Sequence, residues 1–180
     1  EPQRATVLAQ NLIRQHHPDA KWAHVLIGIM KSSVAENDAS IHEFREALKL
    51  DPDFYVARRN LALRLVSARR IEEANAEFGV LSKKWPNDPE VIAGLGELAY
   101  AQERYEEAAL LYARAEALDP RKPLYVARQG DAALGKGETE KGVADLERAL
   151  RMDPGFTPAM GSLTNYYFNR GDFNAAAPLL

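Results

Sequence analysis

LKLDPD, residues 48–53, decides the fold because it returns at a fixed distance along the chain. EALDPR at 116–121, LRMDPG at 150–155 and KKWPND at 83–88 occupy the same slot, and QHHPDA at 15–20 is a degraded first copy. The prolines of these copies are spaced by 34 residues, although the 180-residue chain has only 10 prolines. A period of this length predicts an array of stacked structural repeats. The five prolines are Pro18, Pro52, Pro86, Pro120 and Pro154.

Each repeat contains two stretches of helical spacing separated by a polar turn. In the third copy, apolar or small residues at 92, 95, 96 and 99 fall at i, i+3, i+4 and i+7, which is one face of a helix. The pattern therefore predicts helices near 21–34 and 37–50 and again at each 34-residue step, with no strand. Asp88-Pro89 and Thr157-Pro158 predict helix starts, as an N-cap residue followed by proline.

The period also predicts the organisation of the chain. We expect residues 1–20 to be the second helix of a truncated preceding repeat. Because no polar capping helix is visible at either end, the natural array is expected to be longer. The expected repeats are 21–54 (repeat 1), 55–88 (repeat 2), 89–122 (repeat 3), 123–156 (repeat 4) and the partial 157–180 (repeat 5).

This pattern resembles the tetratricopeptide repeat family. Repeat 3 carries Leu95-Gly96, Ala108, Tyr112 and Pro120 at the positions of the family motif, whereas repeat 4 has Gln129 where Leu is expected. The resemblance implies an all-α fold, a right-handed α-solenoid of antiparallel helix pairs. It also implies a protein- or peptide-binding scaffold rather than an enzyme, with the first helix of each repeat lining a concave groove.

Small residues at one slot of each repeat predict close helix contacts. Gly96 is expected to lie against Ala108 of the second helix, with Tyr112 filling the gap to the next repeat. The corresponding small residues are Gly28, Ala62 and Gly130, expected opposite Ser40, Ala74 and Gly142.

The groove implied by the resemblance takes positions 2, 5, 6, 9, 12 and 13 of each repeat. Trp22 is a groove residue on this basis, but Trp22, Val25 and Ile29 could equally pack against the preceding repeat. One subgroup of the family grips a peptide carboxylate with Lys and Asn, and that pair is absent here. The groove residues predicted to bind the partner are Trp22, Arg59, Asn60, Leu63, Glu97, Tyr100, Arg128, Asp131, Asn165 and Phe168.

Composition excludes several classes of protein. Hydrophobic residues make up 46% and charged residues 27%, which is typical of a globular chain. The net charge of −3 gives no reason to expect nucleic acid, and no apolar run is long enough to span a bilayer. The absence of cysteine excludes disulfides and thiolate chemistry and fits the cytoplasm as well as a bacterial periplasm. No cofactor or metal motif is present; His16-His17 is interpreted as a solvated turn.

Charged clusters leave two interpretations open. Glu72-Glu73 and Glu106-Glu107 are interpreted as favourable charges at helix N-termini rather than catalytic pairs. The basic set Arg58, Arg59, Arg64, Arg69 and Arg70 is either a solvated surface or a recognition site for an acidic partner.

Three roles remain possible for such an array. The first is a binding adaptor, the second a non-catalytic arm of a larger enzyme or a bacterial envelope assembly machine, and the third a self-assembling architectural module. Severed repeat ends predict exposed apolar faces and self-association. The candidate residues are Val7, Leu12, Ile13, Phe173, Ala176 and Leu180.

Overall fold

The computed structural model describes residues 2–33 and 36–179, with the side chains of 4–31 and 36–179. The fold is an all-α helical repeat, as predicted, and no strand occurs in these ranges. Helices α1 to α10 begin and end within two residues of the positions that the 34-residue period predicts, whereas α11 begins as predicted but ends after a single turn. In chain order the helices are α1 (Pro2–Arg14), α2 (Ala20–Ser33), α3 (Asn37–Leu50), α4 (Tyr55–Ser67), α5 (Ile71–Lys84), α6 (Pro89–Ala101), α7 (Tyr105–Leu118), α8 (Pro123–Gly135), α9 (Thr139–Met152), α10 (Thr157–Asn169) and α11 (Phe173–Ala176), followed by a 3₁₀ turn at Ala177–Leu179.

The chain divides into two compact units. In the N-terminal unit, Glu1–Pro86, each of the helices α1 to α5 packs against the next along the chain. In the C-terminal unit, Asn87–Leu180, the same sequential packing runs from α6 to α11, and α8 also contacts α10. None of the described helices is both long and apolar enough to cross a membrane.

In repeats 2 to 5 the turn between the two helices contains a residue in the left-handed region. The backbone φ is 59° at Arg69, 61° at Glu103, 82° at Gly137 and 74° at Gly171, four positions spaced by 34 residues. The next amide closes the helix end, as Arg104 does by donating to the Ala99 carbonyl at 2.9 Å. Glycine adopts this φ without steric cost, so the two repeats with Arg or Glu at this position carry local strain.

One of the two predicted N-caps is confirmed and the other is wrong. The Asp88 carboxylate accepts from the amides of Glu90 at 2.8 Å and Val91 at 3.1 Å, which satisfies two donors at the start of α6. Thr157 instead is the first residue of α10, and Phe156 takes the N-cap position without a side-chain hydrogen bond. The helix starts one residue earlier because Pro158 can occupy either of the first two helical positions.

The small residues of the motif face large side chains of the paired helix. A Cβ added to Gly96 would lie 2.5 Å from Cε1 of Tyr112, so the aromatic ring, rather than the expected Ala108, is the nearest neighbour. The Phe44 ring occupies the same place against Gly28. The expected opposition of small residues is confirmed in two repeats: Ser40 donates to the Gly28 carbonyl at 2.8 Å, and a Cβ on Gly130 would lie 2.9 Å from the Gly142 carbonyl oxygen.

Each unit has an apolar interior built from these contacts, and that of the C-terminal unit falls into two clusters of buried side chains. Full burial of one large apolar side chain contributes about 1.5–3 kcal/mol. The largest fully buried side chains are Phe44, Ile41, Leu61, Leu65, Phe78 and Leu81 in the N-terminal unit, and Ile92, Leu98, Tyr112, Tyr125, Leu146 and Leu163 in the C-terminal unit.

Ion pairs join side chains that lie roughly one repeat apart in sequence. Lys122 donates to Glu90 at 2.6 Å across 32 residues, and Arg148 donates to Glu116 at 2.6 Å across the same separation. The Arg148–Glu116 pair ties repeat 4 to repeat 3, whereas the Lys122–Glu90 pair joins the two ends of repeat 3. Further pairs of this kind are Lys21–Asp51, Arg45–Glu73, Arg70–Asp38 and Lys84–Asp53.

The end helices expose fewer apolar side chains than expected. Val7 is 56% exposed, and its neighbour Leu8 is 63% exposed. Leu12 and Ile13 instead pack against the buried side chains of Ala23 and Ile27, so the prediction was wrong for these two. Their position on α1 turns them toward α2. At the other end Phe173 is exposed as predicted, Ala176 is buried, and Leu180 lies outside the described residues.

Candidate functional site

The first helices of three successive repeats line one open pocket in the C-terminal unit. Residues of α6, α8 and α10 line an open pocket of about 310 Å³, which we call the C-terminal pocket. Three residues that the groove pattern predicts, Tyr100, Asp131 and Asn165, therefore lie together. The pocket is lined by Tyr100, Asp131, Leu134, Gly135, Ser162, Asn165, Tyr166 and Asn169.

A partly buried ionic network adjoins the pocket at Asp131. Arg128 places Nε 2.8 Å from Oε1 of Glu97 and donates from Nη1 to Oδ2 of Asp131 at 3.0 Å. The Tyr112 hydroxyl donates to the same Glu97 oxygen at 3.1 Å. Two carboxylates thus share one guanidinium, which leaves the network with an excess of one negative charge when all three groups are ionised.

Burial dominates the protonation of this network. It raises the pKa of the Glu97 carboxyl, since removal from water disfavours the charged form more than the attraction of Arg128 favours it. Burial, and then the negative charge of Glu97, raise the pKa of Tyr112 far above its ordinary value, so Tyr112 remains a hydrogen-bond donor. For Arg128 burial acts against the charge, but the carboxylates of Glu97 and Asp131 outweigh it and raise its pKa.

Tyr100 is the aromatic wall of the pocket on α6. Burial, followed by the negative charge of Asp131, raises the pKa of its phenol, which therefore keeps its proton at neutral pH. Its ring packs edge-on against Tyr105, with 5.2 Å between ring centroids. The ring is thus supported by Tyr105, and a tyrosine that lines a pocket can offer a ligand an aromatic surface and a polar hydroxyl.

The predicted groove residues of the N-terminal unit lie on α2 and α4. The Trp22 ring is 49% exposed and packs edge-on against Phe54 at 4.6 Å, whereas Val25 is buried. Ile29 is 47% exposed, so of the three side chains that could pack inward, only Val25 does so fully. Arg59, Asn60 and Leu63 on α4 are partly buried, and the Asn60 amide donates to the Val56 carbonyl at 2.8 Å.

Comparison with known proteins settles the family. The family model described as tetratricopeptide repeat matches residues 59–123 and 127–180, which is more than half of the chain. The chain belongs to the tetratricopeptide repeat family. It is 31% identical over 86 residues to the TPR repeat-containing thioredoxin TTL4 of Arabidopsis thaliana, a match over 48% of this chain and 13% of that protein. It is also 31% identical over 81 residues to the heat-shock protein cognate co-chaperone sgt12 of Aspergillus fumigatus, over 45% of this chain.

These curated relatives are much longer than the matched segment, which spans at most 24% of their length. Solved tetratricopeptide repeat structures share the fold. The thermophilic TPR protein TTC0263 of Thermus thermophilus superimposes with a TM-score of 0.80 at 21% identity, over 88% of this chain and 87% of that one. The pilF protein of Pseudomonas aeruginosa gives a TM-score of 0.68 at 19% identity, over 89% and 73% of the two chains.

The tetratricopeptide repeat register accounts for most of the pocket but not all of it. Asp131 and Asn165 occupy position 9 of repeats 4 and 5, and Tyr100 occupies position 12 of repeat 3. Ser162 and Asn169 stand at positions 6 and 13, which the groove pattern includes, although neither is among the predicted partner-binding residues. Tyr166 stands at position 10, outside that pattern, and no signal in the sequence marks it.

The remaining predicted groove residues lie apart from the pocket lining. Glu97 and Arg128 belong to the adjoining ionic network. Phe168 on α10 is 62% exposed and packs edge-on against Phe173 at 5.4 Å. Trp22, Arg59, Asn60 and Leu63 belong to the N-terminal unit.

The basic residues of α4 and its following turn are largely engaged within the protein. Arg58 pairs with Glu77, and Arg70 donates to Glu73 at 2.6 Å. Arg64 donates to the side-chain oxygen of Asn37 at 3.0 Å. Arg58, Arg64 and Arg70 are thus engaged in contacts within the protein, which counts against a site for an acidic partner built on these three side chains.

The histidines take packing and surface positions. His24 Nδ1 lies 2.8 Å from Oε2 of Glu43, a carboxylate that Lys31 also approaches at 3.4 Å. His42 is largely exposed, and His16 adopts a φ of 50° in the turn after α1. Among the side chains described, those of residues 4–31 and 36–179, no three of His, Asp or Glu converge in a group suited to a metal ion.

Proposed function

We propose that this chain is a protein- or peptide-binding scaffold that holds its partner on the first helices of its repeats, and the proposal gives it no catalytic role. The observation that carries the proposal is the C-terminal pocket, to which α6, α8 and α10 each contribute a residue at a groove position. An extended chain laid across three successive repeats can meet Tyr100, Asp131 and Asn165 in turn. A pocket that mixes aromatic rings with directed polar groups suits recognition of a peptide.

The relatives support this class of function, and the residues at the groove positions of this chain narrow the ways in which a partner can be held. One matched protein is a co-chaperone, and tetratricopeptide repeats are commonly protein-interaction scaffolds. The Lys-Asn carboxylate clamp has no counterpart here, because the matching positions hold Val25, Ile29, Arg59 and Leu63, of which Val25 is buried. We therefore propose a partner that is held through its side chains rather than through a terminal carboxylate.

Site-specific photocrosslinking tests the proposal even though the partner is unidentified. A benzophenone amino acid at Phe168 samples a first helix, and the same group at Leu110 on the second helix α7 is the matched control. Both native side chains are large and apolar, with exposures of 62% and 67%. Trp22 and Leu50, at 49% and 57% exposure, form the equivalent pair in the N-terminal unit.

We expect one shared partner to be captured from Phe168 and Trp22 and to be absent from Leu110 and Leu50. Capture from the second-helix positions alone would refute the assignment of the binding face. Tyr100→Ala and Arg59→Ala should weaken a captured partner by about 2 kcal/mol if they are binding hot spots. The exposed Glu107→Ala is the appropriate control, since its side chain pairs only with the neighbouring exposed Arg104 among the contacts described.

Arg128 requires a different variant from the simple truncation that its groove position suggests. Because it contacts both Glu97 and Asp131, Arg128→Ala leaves two partly buried carboxylates facing each other and destabilises the unit. Arg128→Lys keeps the positive charge while removing the planar fork. A loss of binding in Arg128→Lys at unchanged stability is therefore the informative result.

One observation favours an architectural role as a second candidate. Val7 and Leu8 on α1 are 56% and 63% exposed, and with Arg4 and Asn11 they line an open depression of about 350 Å³. Exposed apolar side chains in one patch favour association. We propose that this face contributes to self-association, or to docking within a larger bacterial assembly, if the first-helix face proves to be unoccupied.

A further inference from the structure

The C-terminal pocket has a chemical character that restricts what can enter it. Of the eight residues that line it, only Asp131 carries a formal charge. Tyr100 and Tyr166 contribute aromatic rings, while Ser162, Asn165 and Asn169 contribute oxygen acceptors. In the adjoining network Glu97 balances the charge of Arg128, so the three groups together keep one negative charge when all of them are ionised.

We propose that the C-terminal pocket receives a basic side chain, lysine or arginine, of the bound peptide. The inference rests on the proposed function and names the chemistry of one subsite. Asp131 supplies the countercharge: Arg128 engages its Oδ2 atom, and a carboxylate accepts donors at both oxygens. The amide and hydroxyl oxygens of Asn165, Asn169 and Ser162 accept the remaining donors of an ammonium or guanidinium group.

The other classes of side chain fit this lining poorly. An acidic side chain would meet the Asp131 carboxylate, and like charges at close range repel each other. A purely apolar side chain would cover the Asp131, Ser162 and Asn165 polar groups without offering a hydrogen bond, which carries a desolvation cost. A basic side chain satisfies these groups and also places its aliphatic stem against Leu134.

A cation already stands beside one wall of the pocket. The Arg170 guanidinium lies 5.6 Å from the centroid of the Tyr166 ring, which shows that this ring suits a cation on its face. Arg170 is itself exposed and does not line the pocket. Arg170 carries the same charge as an incoming basic side chain and should weaken its binding. Asp131 carries the opposite charge and should strengthen it.

The test uses the full chain labelled with ¹⁵N and three capped tripeptides, acetyl-Gly-Xaa-Gly-amide. Xaa is arginine, its neutral isostere citrulline, or glutamate. Chemical shifts of the Gly135, Asn165 and Asn169 backbone amides are followed during titration to obtain dissociation constants. We expect saturable shifts with the arginine peptide, binding about tenfold weaker with citrulline because one charge-assisted hydrogen bond is lost, and weaker binding still with glutamate.

Three variants separate the electrostatic proposal from a general loss of structure. Asp131→Asn should weaken the arginine peptide about tenfold while leaving the citrulline peptide unchanged. Arg170→Ala should strengthen the arginine peptide severalfold, a gain that no damage to the fold can produce. Asn165→Ala changes an exposed side chain and should weaken both peptides to a similar, smaller degree.

The outcomes also distinguish this inference from the proposed function. Equal binding of arginine and citrulline, preference for glutamate, or an absence of pocket shifts with every peptide overturns the basic-side-chain subsite. If that occurs while crosslinks still map to Phe168 and Trp22, the scaffold function stands without this chemistry. If arginine binds the pocket but crosslinks map only to Leu110 and Leu50, the subsite stands and the proposed binding face fails.

Discussion

Gly96→Ala tests how closely the two helices of a repeat are packed. The new Cβ would lie 2.5 Å from Cε1, 2.8 Å from Cδ1 and 3.0 Å from Cζ of Tyr112, whereas ordinary van der Waals contact begins at about 3.4 Å. The Tyr112 ring is fully buried, and its hydroxyl is held by Glu97 at 3.1 Å. The ring therefore has to move by roughly 1 Å within a filled core, or the helices α6 and α7 have to separate.

Two opposing contributions set the size of the effect. Alanine is favoured over glycine in a helix interior by about 1 kcal/mol. Overpacking a filled core costs about 1–3 kcal/mol. We expect Gly96→Ala to lower the free energy of unfolding by up to about 2 kcal/mol.

Gly161→Ala in α10 is the matched control. It lies in a helix of the same unit, and a Cβ there would meet no atom within 4 Å. This variant should gain the helix propensity alone, about 1 kcal/mol. The difference between the two variants in urea denaturation, followed by circular dichroism, then isolates the packing cost at about 1–3 kcal/mol.

A double-mutant cycle with Tyr112→Leu assigns that cost to the ring. Leucine lacks the atoms Cε1 and Cζ, two of the three that crowd the new Cβ. Gly96→Ala should therefore cost less in the Tyr112→Leu background. If Gly96→Ala stabilises the protein as much as Gly161→Ala does, the close approach of α6 and α7 at this point is refuted.

Three further predictions concern the turn, the ionic network and the exposed end. Glu103→Gly should raise the free energy of unfolding by about 1 kcal/mol, because glycine relieves the left-handed φ of 61°; no gain in a urea titration would contradict the strain. The raised pKa of Glu97 means that its stabilising contribution is complete below the ordinary carboxyl pKa of 4.5 and is lost as the pH rises through the higher folded-state pKa. Stability relative to Glu97→Gln should therefore fall with rising pH in thermal melts, and a rise would show that the pair with Arg128 dominates. Leu8→Lys should reduce concentration-dependent association in sedimentation velocity, whereas Leu110→Lys, on an equally exposed side chain, should not.

The repeat period predicted most of the fold because five copies of the same sequence signals indicate where the helices begin and end. A single turn signal is ambiguous, but a signal repeated at 34-residue intervals places helix ends within two residues. Thr157 shows where a local signal is ambiguous. Proline is accepted at either of the first two positions of a helix, so the N-cap before Pro158 could be Thr157 or Phe156, and the structure has Phe156. The depth of a side chain was also hard to predict: Leu12 and Ile13 look like an open end in the sequence but pack against α2.

The pocket was predictable only as a set of positions. The family register places Tyr100, Asp131 and Asn165 on first helices, but it does not say that they converge on one volume. Arg128 contacts Asp131 on its own helix and Glu97 on α6, which lies 31 positions earlier in the sequence. The contact with Glu97 therefore depends on how α6 and α8 pack. Charge pairing at such separation follows from how the repeats stack, and no local sequence pattern encodes it.

The ion pairs between neighbouring repeats have a consequence for how the chain unfolds. A repeat array behaves as a row of coupled elements, in which cooperativity depends on the free energy of each junction relative to the free energy of each element. At several junctions part of that coupling is electrostatic, as in Arg45–Glu73 and Arg148–Glu116, and each exposed pair contributes at most about 1 kcal/mol. Added salt screens these junctions while leaving the apolar interior of each repeat unchanged. Ionic strength should therefore broaden the unfolding transition more than it lowers its midpoint, as neighbouring repeats begin to melt independently.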